Sequence, residues 1–140
     1  AFAFQKITNI AETTRSDIEL VVTSGITAGD DEKTIARAIY AVAPTKSASR
    51  SQTIARTESH AAANAGAQAM AESTDAEYKR VWVSSGGGRT RDSHDDADGQ
   101  TVGMKDRFRV GRSLLRYPGD PHGSPEEVIN CRCAVVFELV

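Results

Sequence analysis

The sequence has few cysteines, few aromatic residues and no long apolar run. Cys131 and Cys133 are its two cysteines in 140 residues, too few for the disulfide framework of a small secreted protein. Because no stretch of about 18 apolar residues occurs, the sequence predicts no membrane-spanning helix. The start, AFAFQK, has neither an initiator methionine nor the layout of a signal peptide. We therefore expect an intracellular or particle-internal protein that begins at a cut end, produced by processing or by excision from a longer chain.

Signatures of common enzyme and nucleotide sites are also missing. The glycine-rich segment SSGGGR, residues 84–89, does not have the spacing of a P-loop. There is no GxSxG nucleophile elbow and no HExxH zinc pair. The net charge of -2 and the pI of about 5.9 do not favour a chain that binds nucleic acid over its whole surface. A basic contact surface, if there is one, has to be local.

Apolar residues recur every three or four positions in the first half of the chain, as in amphipathic helices. The pattern predicts helices over residues 5–24 and 31–42, and a long, alanine-rich helix over residues 52–72. We expect Gly25 to end the first helix and Pro44 to end the second.

After residue 75 the apolar positions alternate, as in β-strands. Residues 79–84 predict one strand, residues 101–102 and 108–110 predict two short strands, and residues 131–140 predict the last. The polar segment 89–99 is typical of a loop.

The two halves together predict an α+β fold. Three N-terminal helices, the third long and alanine-rich, are expected to pack on a small, mainly antiparallel C-terminal sheet with long loops. We divide the chain into N-terminal helices, residues 1–48, and a second unit, residues 49–140, which we expect to form one compact body.

Charge is concentrated in two neighbouring segments. Residues 92–98 carry four aspartates and His94, and residues 105–116 carry five cations against Asp106. The two segments either neutralise each other or leave the second as a docking surface for acidic groups or phosphate. We call residues 105–116 the basic segment; its cations are Lys105, Arg107, Arg109, Arg112 and Arg116.

Glu58 and His94 have the side chains best suited to acid–base chemistry. Helical spacing puts Glu58 on the apolar face of the third helix, where a carboxylate needs a cation or a hydrogen-bond donor. His94 is either a general acid or base, oriented by Glu58 or an aspartate, or a structural histidine that bonds a turn.

The two cysteines allow three interpretations. On a strand they share a face with Val135, Phe137 and Leu139, which favours buried, inert thiols. A disulfide is disfavoured because their Cα atoms would lie about 6.5–7 Å apart. A zinc site needs two more ligands, and no histidine stands at a recognised spacing. A redox or nucleophilic role is the third interpretation.

Five short motifs follow one another along residues 50–138. They are IARTE on the long helix, YKRVWVSS, the pattern RxxHxxxDGQ, YPGDP and the terminal NCRC. In this order they resemble the phage Mu F-like head morphogenesis family, the minor head proteins. The matching positions are Arg56, Thr57, Glu58, Trp82, Arg91, His94, Asp98, Gly99, Pro118, Gly119, Asp120, Asn130, Cys131, Arg132 and Cys133.

The resemblance implies a virion-assembly protein that acts at the portal or inside the head. It implies portal and capsid proteins as partners, packaged DNA as a non-specific partner, and no membrane. The implied location is the virion, or the host cytoplasm during assembly. In this family the domain is often part of a longer or fused chain.

Many relatives look like zinc binders, with CxxC at positions 91–94 and a histidine at position 128. This chain has Arg91, His94 and Val128 at those positions, so we expect no metal and no cofactor. The difference suggests that Arg91 holds Glu58 through a bidentate ion pair where relatives have a metal bridge.

Two functions therefore remain open. The first is a non-enzymatic head morphogenesis module, in which Arg91, His94, Asp98 and Glu58 tie the polar loop to the long helix and the basic segment contacts portal, capsid or DNA. The second is a small metal-independent hydrolase, nuclease or toxin-like enzyme with His94 and Glu58 as acid and base and Arg91 as the anion-binding group. A variant of the second uses Cys131 as a nucleophile. An open pocket lined by His94 and Glu58, with basic residues on its rim, would favour the second, whereas a buried Arg91–Glu58 pair with no cleft beside His94 would favour the first.

Overall fold

The computed structural model describes residues 12–43 and 47–140. Residues 5–11 of the predicted first helix, and Pro44, lie outside the described residues. None of the described helices is long and apolar enough to cross a membrane. The helices are α1 (Glu12–Ala28), α2 (Glu32–Val42), α3 (Ala48–Glu72), α4 (Asp92–Ala97) and α5 (Pro125–Val128). The strands are β1 (Tyr78–Val83), β2 (Thr101–Gly103), β3 (Phe108–Val110), β4 (Ser113–Leu115) and β5 (Ala134–Leu139).

This order confirms the predicted α+β fold, with a helical N-terminal half and a small antiparallel sheet in the C-terminal half. The prediction that Gly25 ends the first helix is wrong, because α1 continues to Ala28. A β-carbon at Gly25 would lie 2.7 Å from Cγ1 of Ile35, so the missing side chain lets α2 approach α1. The helix ends at Ala28, and Gly29, with a φ of 75°, takes the left-handed position after it.

The second and third helices begin at capping residues. Asp31 accepts a hydrogen bond from Thr34 N at 2.8 Å and caps the start of α2. Ser47 accepts one from Arg50 N at 3.1 Å, so α3 begins earlier than predicted. The three helices bury one apolar core, formed by Ile18, Val22, Ile35, Ala36, Ile39, Ala43, Ile54 and Ala55.

A three-stranded antiparallel sheet has the order β2-β1-β5. Its register puts Arg80 of β1 opposite Val102 on one side and Phe137 on the other. The prediction that the last strand starts at Cys131 is wrong, because β5 begins at Ala134. The carbonyl of Cys133 accepts a hydrogen bond from the Asn64 side chain of α3, at 3.1 Å.

Three short elements were not predicted from the sequence. Strand β4 forms a hairpin with β3, in which Val110 lies opposite Ser113. Helix α4 occupies part of the segment predicted as a polar loop, and α5 directly precedes the NCRC motif. The YPGD segment, residues 117–120, forms a turn in which Asp120 N donates to Tyr117 O at 3.1 Å.

A second core lies in the C-terminal half and is also packed against α3, through Ala65. Helix α3 therefore supports both halves of the fold. The buried members of this core are Trp82, Ala97, Phe108, Val110, Leu115, Tyr117, Cys131, Cys133 and Val135.

Arg80 is a fully buried cation beside this core. Its guanidinium donates to the carbonyl oxygens of Gly103, Asp106 and Arg116, and to the side chain of Gln68. It also lies 5.2 Å from the centre of the Phe108 ring. Burial lowers the pKa of Arg80, and the carbonyl oxygens compensate for the lost water.

Candidate functional site

The IARTE and NCRC motifs meet at Asn130. Arg56 Nη1 donates to Asn130 Oδ1 at 2.8 Å, and the backbone N–H of Asn130 donates to Thr57 Oγ1 at 2.8 Å. Asn130 has a φ of 63°, a left-handed conformation that asparagine tolerates better than most residues. Two turns further along α3, the Asn64 side chain bonds the backbone of Cys133 and Val135. Helix α3 thus fixes the path of the segment that carries both cysteines.

His94 lies under this segment, with only 2% of its surface exposed. Its Nδ1 is 3.3 Å from Cys133 Sγ and 3.7 Å from Cys131 Sγ. Its Nε2 is 3.0 Å from Glu127 Oε2, which also accepts a hydrogen bond from Ser93 Oγ at 2.8 Å. When Nε2 carries the proton and donates to Glu127, the neutral ring turns an acceptor nitrogen toward the thiols.

The two thiols have different protonation preferences. The hydrogen bond from Cys131 lowers the pKa of Cys133 to about 5, with a further contribution from His94 and against the opposing effect of burial. The same contact, together with burial, raises the pKa of Cys131. Cys133 is therefore the sulfur that carries negative charge more easily, and Cys131 is its donor.

The acid beside His94 is Glu127 and not Glu58. Glu58 is buried on α3, as its helical position predicted. Arg91 donates to the Ile129 carbonyl and lies 3.4 Å from His94 Nε2. Among the described residues no Arg91–Glu58 ion pair is found, so that expectation is wrong.

His94, Cys131 and Cys133 are the residues best placed to hold a metal. Their donor atoms lie within 4.8 Å of one another, and sulfur and imidazole nitrogen are donors that zinc prefers. A structural zinc site needs four ligands, and within residues 12–43 and 47–140 no further His, Cys, Asp or Glu joins this cluster. The guanidinium of Arg91 against the His94 ring also disfavours a dication. The described residues do not complete a structural metal site.

A cavity of about 520 Å³ opens above His94 and Cys133. The loop between β1 and α4 forms one wall with Gly87 and Gly88, and Asn130 lies in another. Apart from His94 and Cys133, the ionisable side chains that line the cavity are all arginines. We call it the arginine cavity; these residues are Arg56, Arg89, Arg91 and Arg132.

The basic segment lies elsewhere, on the hairpin of β3 and β4 and its flanks. Its five cations are all exposed, and Arg116 is 3.4 Å from the buried carboxylate of Asp120. In the described part of the chain, no ion pair joins the aspartates of residues 92–98 to this segment. The segment is therefore available as a contact surface.

The remaining motif residues have packing and turn-forming contacts. Trp82 is buried with its ring edge-on to His94, and Asp98 accepts a hydrogen bond from Ser84 N at 2.8 Å.

Gly119 has a φ of 86°, and a β-carbon there would lie 2.9 Å from Ala61 Cα of α3. Pro118 is buried beside it, and Gly99 follows α4 with a φ of 77°.

Sequence reasoning missed Glu127 as the acid of the site and missed the arginine cavity. Glu127 and Glu126 follow Ser124-Pro125, a pattern that predicts the start of a helix and was the available signal for α5. The four arginines lie on three separate segments, so no local pattern in the sequence could have grouped them.

Comparisons with known proteins agree with the motifs. The family model of phage Mu protein F-like proteins matches residues 16–136. The minor head protein GP7 of Bacillus phage SPP1 is 26% identical over 127 residues, which is 89% of this chain and 41% of that protein. The uncharacterized protein YqbB of Bacillus subtilis (strain 168) is 33% identical over 90 residues, 61% of this chain and 30% of that protein. The chain thus spans less than half of either relative, and no solved structure matches it significantly.

Proposed function

The chain belongs to the phage Mu protein F-like family, and from this premise we propose that it is a morphogenesis module of a phage head. The observation that carries the proposal is the family match over residues 16–136, which includes all five motifs. The contacts of Asn130 with Arg56 and Thr57 support it, because they join the first motif to the last. On this proposal the motifs maintain the fold of an assembly module, and the protein is found in virions and, during assembly, in the host cytoplasm.

We further propose that the module acts at the portal or in the head interior, with portal and capsid proteins as partners. The support is the named role of the SPP1 relative, a minor head protein. Co-expression of the full-length gene with the portal and major capsid genes of the same phage tests this. We expect the protein to co-sediment with portal oligomers or shells. A protein that stays at the top of the gradient with both partners present would contradict the proposal.

The basic segment is the proposed contact with packaged DNA. Its support is the exposure of Lys105, Arg107, Arg109 and Arg112 on one hairpin and its flank. We expect Arg107→Ala/Arg109→Ala to weaken binding to duplex DNA and to reduce the slope of log affinity against log salt by about 2, since each phosphate contact contributes about 0.9. The matched control is Lys33→Ala/Arg37→Ala, which removes two exposed cations from α2. An equal loss of DNA affinity in both variants would mean that the net charge of the protein, and not the basic segment, accounts for DNA binding.

A second candidate function is favoured by two observations. The first is that the arginine cavity opens beside His94, although Glu58 does not line it. The second is that Glu127, His94 and Cys133 form a chain of carboxylate, imidazole and thiol, the order used by nucleophilic cysteine enzymes. In this version of the enzyme hypothesis Glu127 takes the role that was expected from the sequence for Glu58. Cys133, 3.3 Å from His94, replaces Cys131 as the nucleophile. Cys133 has only 1% of its surface exposed, which favours a structural role unless the site opens. Alkylation of the native protein with iodoacetamide distinguishes an enzyme from a structural role. Rapid labelling of Cys133 that is abolished by His94→Ala would favour the enzyme. Labelling that occurs only after denaturation would favour the structural role.

A further inference from the structure

The arginine cavity concentrates more positive charge than the described carboxylates and the Cys133 thiol neutralise. Arg56 is 3.6 Å from Glu32, so its charge is partly compensated. Within the described ranges, Arg89, Arg91 and Arg132 make no ion pair with a carboxylate. Three guanidinium groups without a carboxylate partner surround one concavity, and the single thiol of Cys133 can offset only one of them. The cavity therefore has a local positive potential that attracts anions.

The wall formed by the glycine-rich loop adds donors of another kind. Gly87 and Gly88 line the cavity, and the backbone N–H groups of both lack an acceptor among the described residues. The loop is closed by a hydrogen bond from Thr90 N to Gly87 O at 3.0 Å and by a contact of 2.9 Å between the Ser85 and Thr90 hydroxyls. Backbone N–H groups in such loops bind anions together with cationic side chains.

The arginines nearest the floor are held in place before any ligand arrives. Arg91 donates to the Ile129 carbonyl, and Arg56 donates to the Asn130 side chain at 2.8 Å. Arg89 and Arg132 are exposed at the rim, and in the described part of the chain neither makes a hydrogen bond or an ion pair. A ligand would therefore meet two arginines that are already hydrogen-bonded and two exposed arginines whose donors are available, an arrangement that suits the bidentate recognition of oxyanions.

We propose that the arginine cavity binds the phosphate group of a small phosphate ester of nucleotide size. A phosphate monoester carries up to two negative charges and three terminal oxygens, which matches several guanidinium forks better than a single carboxylate does. The volume of about 520 Å³ lies in the range of small-molecule sites, about 300–1,000 Å³, and leaves room for the rest of a nucleotide. The same phosphate chemistry could come from the DNA backbone, so the test includes both sources.

The test uses isothermal titration calorimetry on the purified chain with ADP, with adenosine as the ligand that lacks phosphate. We expect ADP to bind and adenosine not to bind. Arg89→Ala/Arg132→Ala should weaken ADP binding by about tenfold or more, because each substitution removes charge-assisted hydrogen bonds. The matched control is again Lys33→Ala/Arg37→Ala, which removes the same charge and should leave ADP affinity within about twofold.

The outcomes separate the sources of phosphate and can overturn the site. Loss of ADP binding in the cavity variant, with duplex DNA binding retained, supports a small phosphate ester. Loss of both, with DNA competing against ADP in the parent, supports the same phosphate site with DNA as its source. The site is overturned if the parent does not bind ADP, if adenosine binds as well as ADP, or if both double variants lose affinity equally. None of these outcomes depends on whether the protein enters phage heads.

Discussion

The side chain of Asn130 accepts a hydrogen bond from Arg56 of α3 at 2.8 Å, across 74 positions of sequence. The backbone of Asn130 is held by the neighbouring Thr57 hydroxyl, also at 2.8 Å. These two contacts fix the segment that leads into Cys131 and Cys133, and Arg56 and Asn130 also line the arginine cavity. The long helix is therefore the element that connects the motifs to the candidate site.

Replacing Thr57 by valine tests this junction directly. Valine keeps the shape of threonine but leaves the Asn130 N–H without its acceptor, so we expect a loss of about 1–2 kcal/mol in the free energy of unfolding. Urea denaturation measures it. Thr53→Val is the matched control, because within residues 12–43 and 47–140 the Thr53 hydroxyl bonds the Ser49 carbonyl of its own helix and no other group; its effect should be within about 0.5 kcal/mol. Equal effects of the two substitutions would contradict the junction.

Removal of the buried Arg80 guanidinium should be the most destabilising single change. Arg80→Met leaves the carbonyl oxygens of Gly103, Asp106 and Arg116 without their donor, and we expect a loss of about 3 kcal/mol or more. Lys79→Met, at the exposed neighbouring position of β1, is the control and should change stability by about 0.5 kcal/mol or less. A parent-like urea midpoint for Arg80→Met would show that the carbonyl cluster does not depend on this cation.

Two glycine-to-alanine substitutions should have opposite signs. Gly119→Ala places a β-carbon 2.9 Å from Ala61 Cα at a left-handed φ of 86°, so we expect a loss of about 2 kcal/mol or more. Gly66→Ala lies in α3 with no atom within 4 Å of the new β-carbon, so helix propensity alone should stabilise it by about 0.5–1 kcal/mol. Thermal unfolding of the two variants beside the parent measures both. Changes of the same sign would contradict the close packing of the YPGD turn on α3.

Asp120 should contribute stability that depends on pH. Burial raises its pKa, but hydrogen bonds from Arg116 N at 2.8 Å and from His122 outweigh this and hold the pKa of Asp120 below its ordinary value of 3.8. A carboxyl group whose pKa is lower in the folded than in the unfolded protein stabilises the fold at pH values above its unfolded pKa. This contribution to stability is lost as the pH falls through the pKa of the folded state. The stability difference between the parent and Asp120→Asn should therefore be about 1–3 kcal/mol and constant from neutral pH to about 5, and shrink below about 4.

The exposed Asp96 supplies the control for this titration. Asp96→Asn should change stability by about 0.5 kcal/mol or less at neutral pH. A difference between the parent and Asp120→Asn that grows as the pH falls would contradict the assignment of the shift.

The metal content of the purified chain tests the cysteine cluster. We expect less than one zinc per chain, because His94, Cys131 and Cys133 supply three of the four ligands that a structural site requires. Cys131→Ala/Cys133→Ala should leave the metal content unchanged and lower stability through lost packing alone. One zinc per chain in the parent by elemental analysis, lost in the double variant, would reassign the cluster as a metal centre.

Local patterns in the sequence predicted most of the fold. Apolar periodicity gave the position of α2 and the main part of α3, and alternation gave β1, β2 and β3 to within a residue or two. The end of α1 was missed because it depends on the contact between Gly25 and Ile35 of another helix. The elements α4, β4 and α5 were missed because they are short and polar or lie between turns, where periodicity has too few positions to be read.

The candidate site was predicted only in part, because partners that are far apart in sequence decide it. The sequence identified His94 and indicated that an acid should lie beside it. Both Glu58 and Glu127 could have been that acid. The fold brings Glu127 to His94 through α5, which lies beside the NCRC segment. The burial of both cysteines was also foreseen, although Leu139, assigned to the same face, is 71% exposed at the end of β5.

The central claim, that this chain is a module of a phage head, is tested most directly by mass spectrometry of gradient-purified heads. Heads would be prepared from the phage or induced prophage that carries the gene, with a strain lacking the gene as the control. We predict that peptides of this chain sediment with the portal and capsid proteins in the head fraction. Peptides confined to the soluble lysate, with normal heads formed in the strain that lacks the gene, would contradict the account.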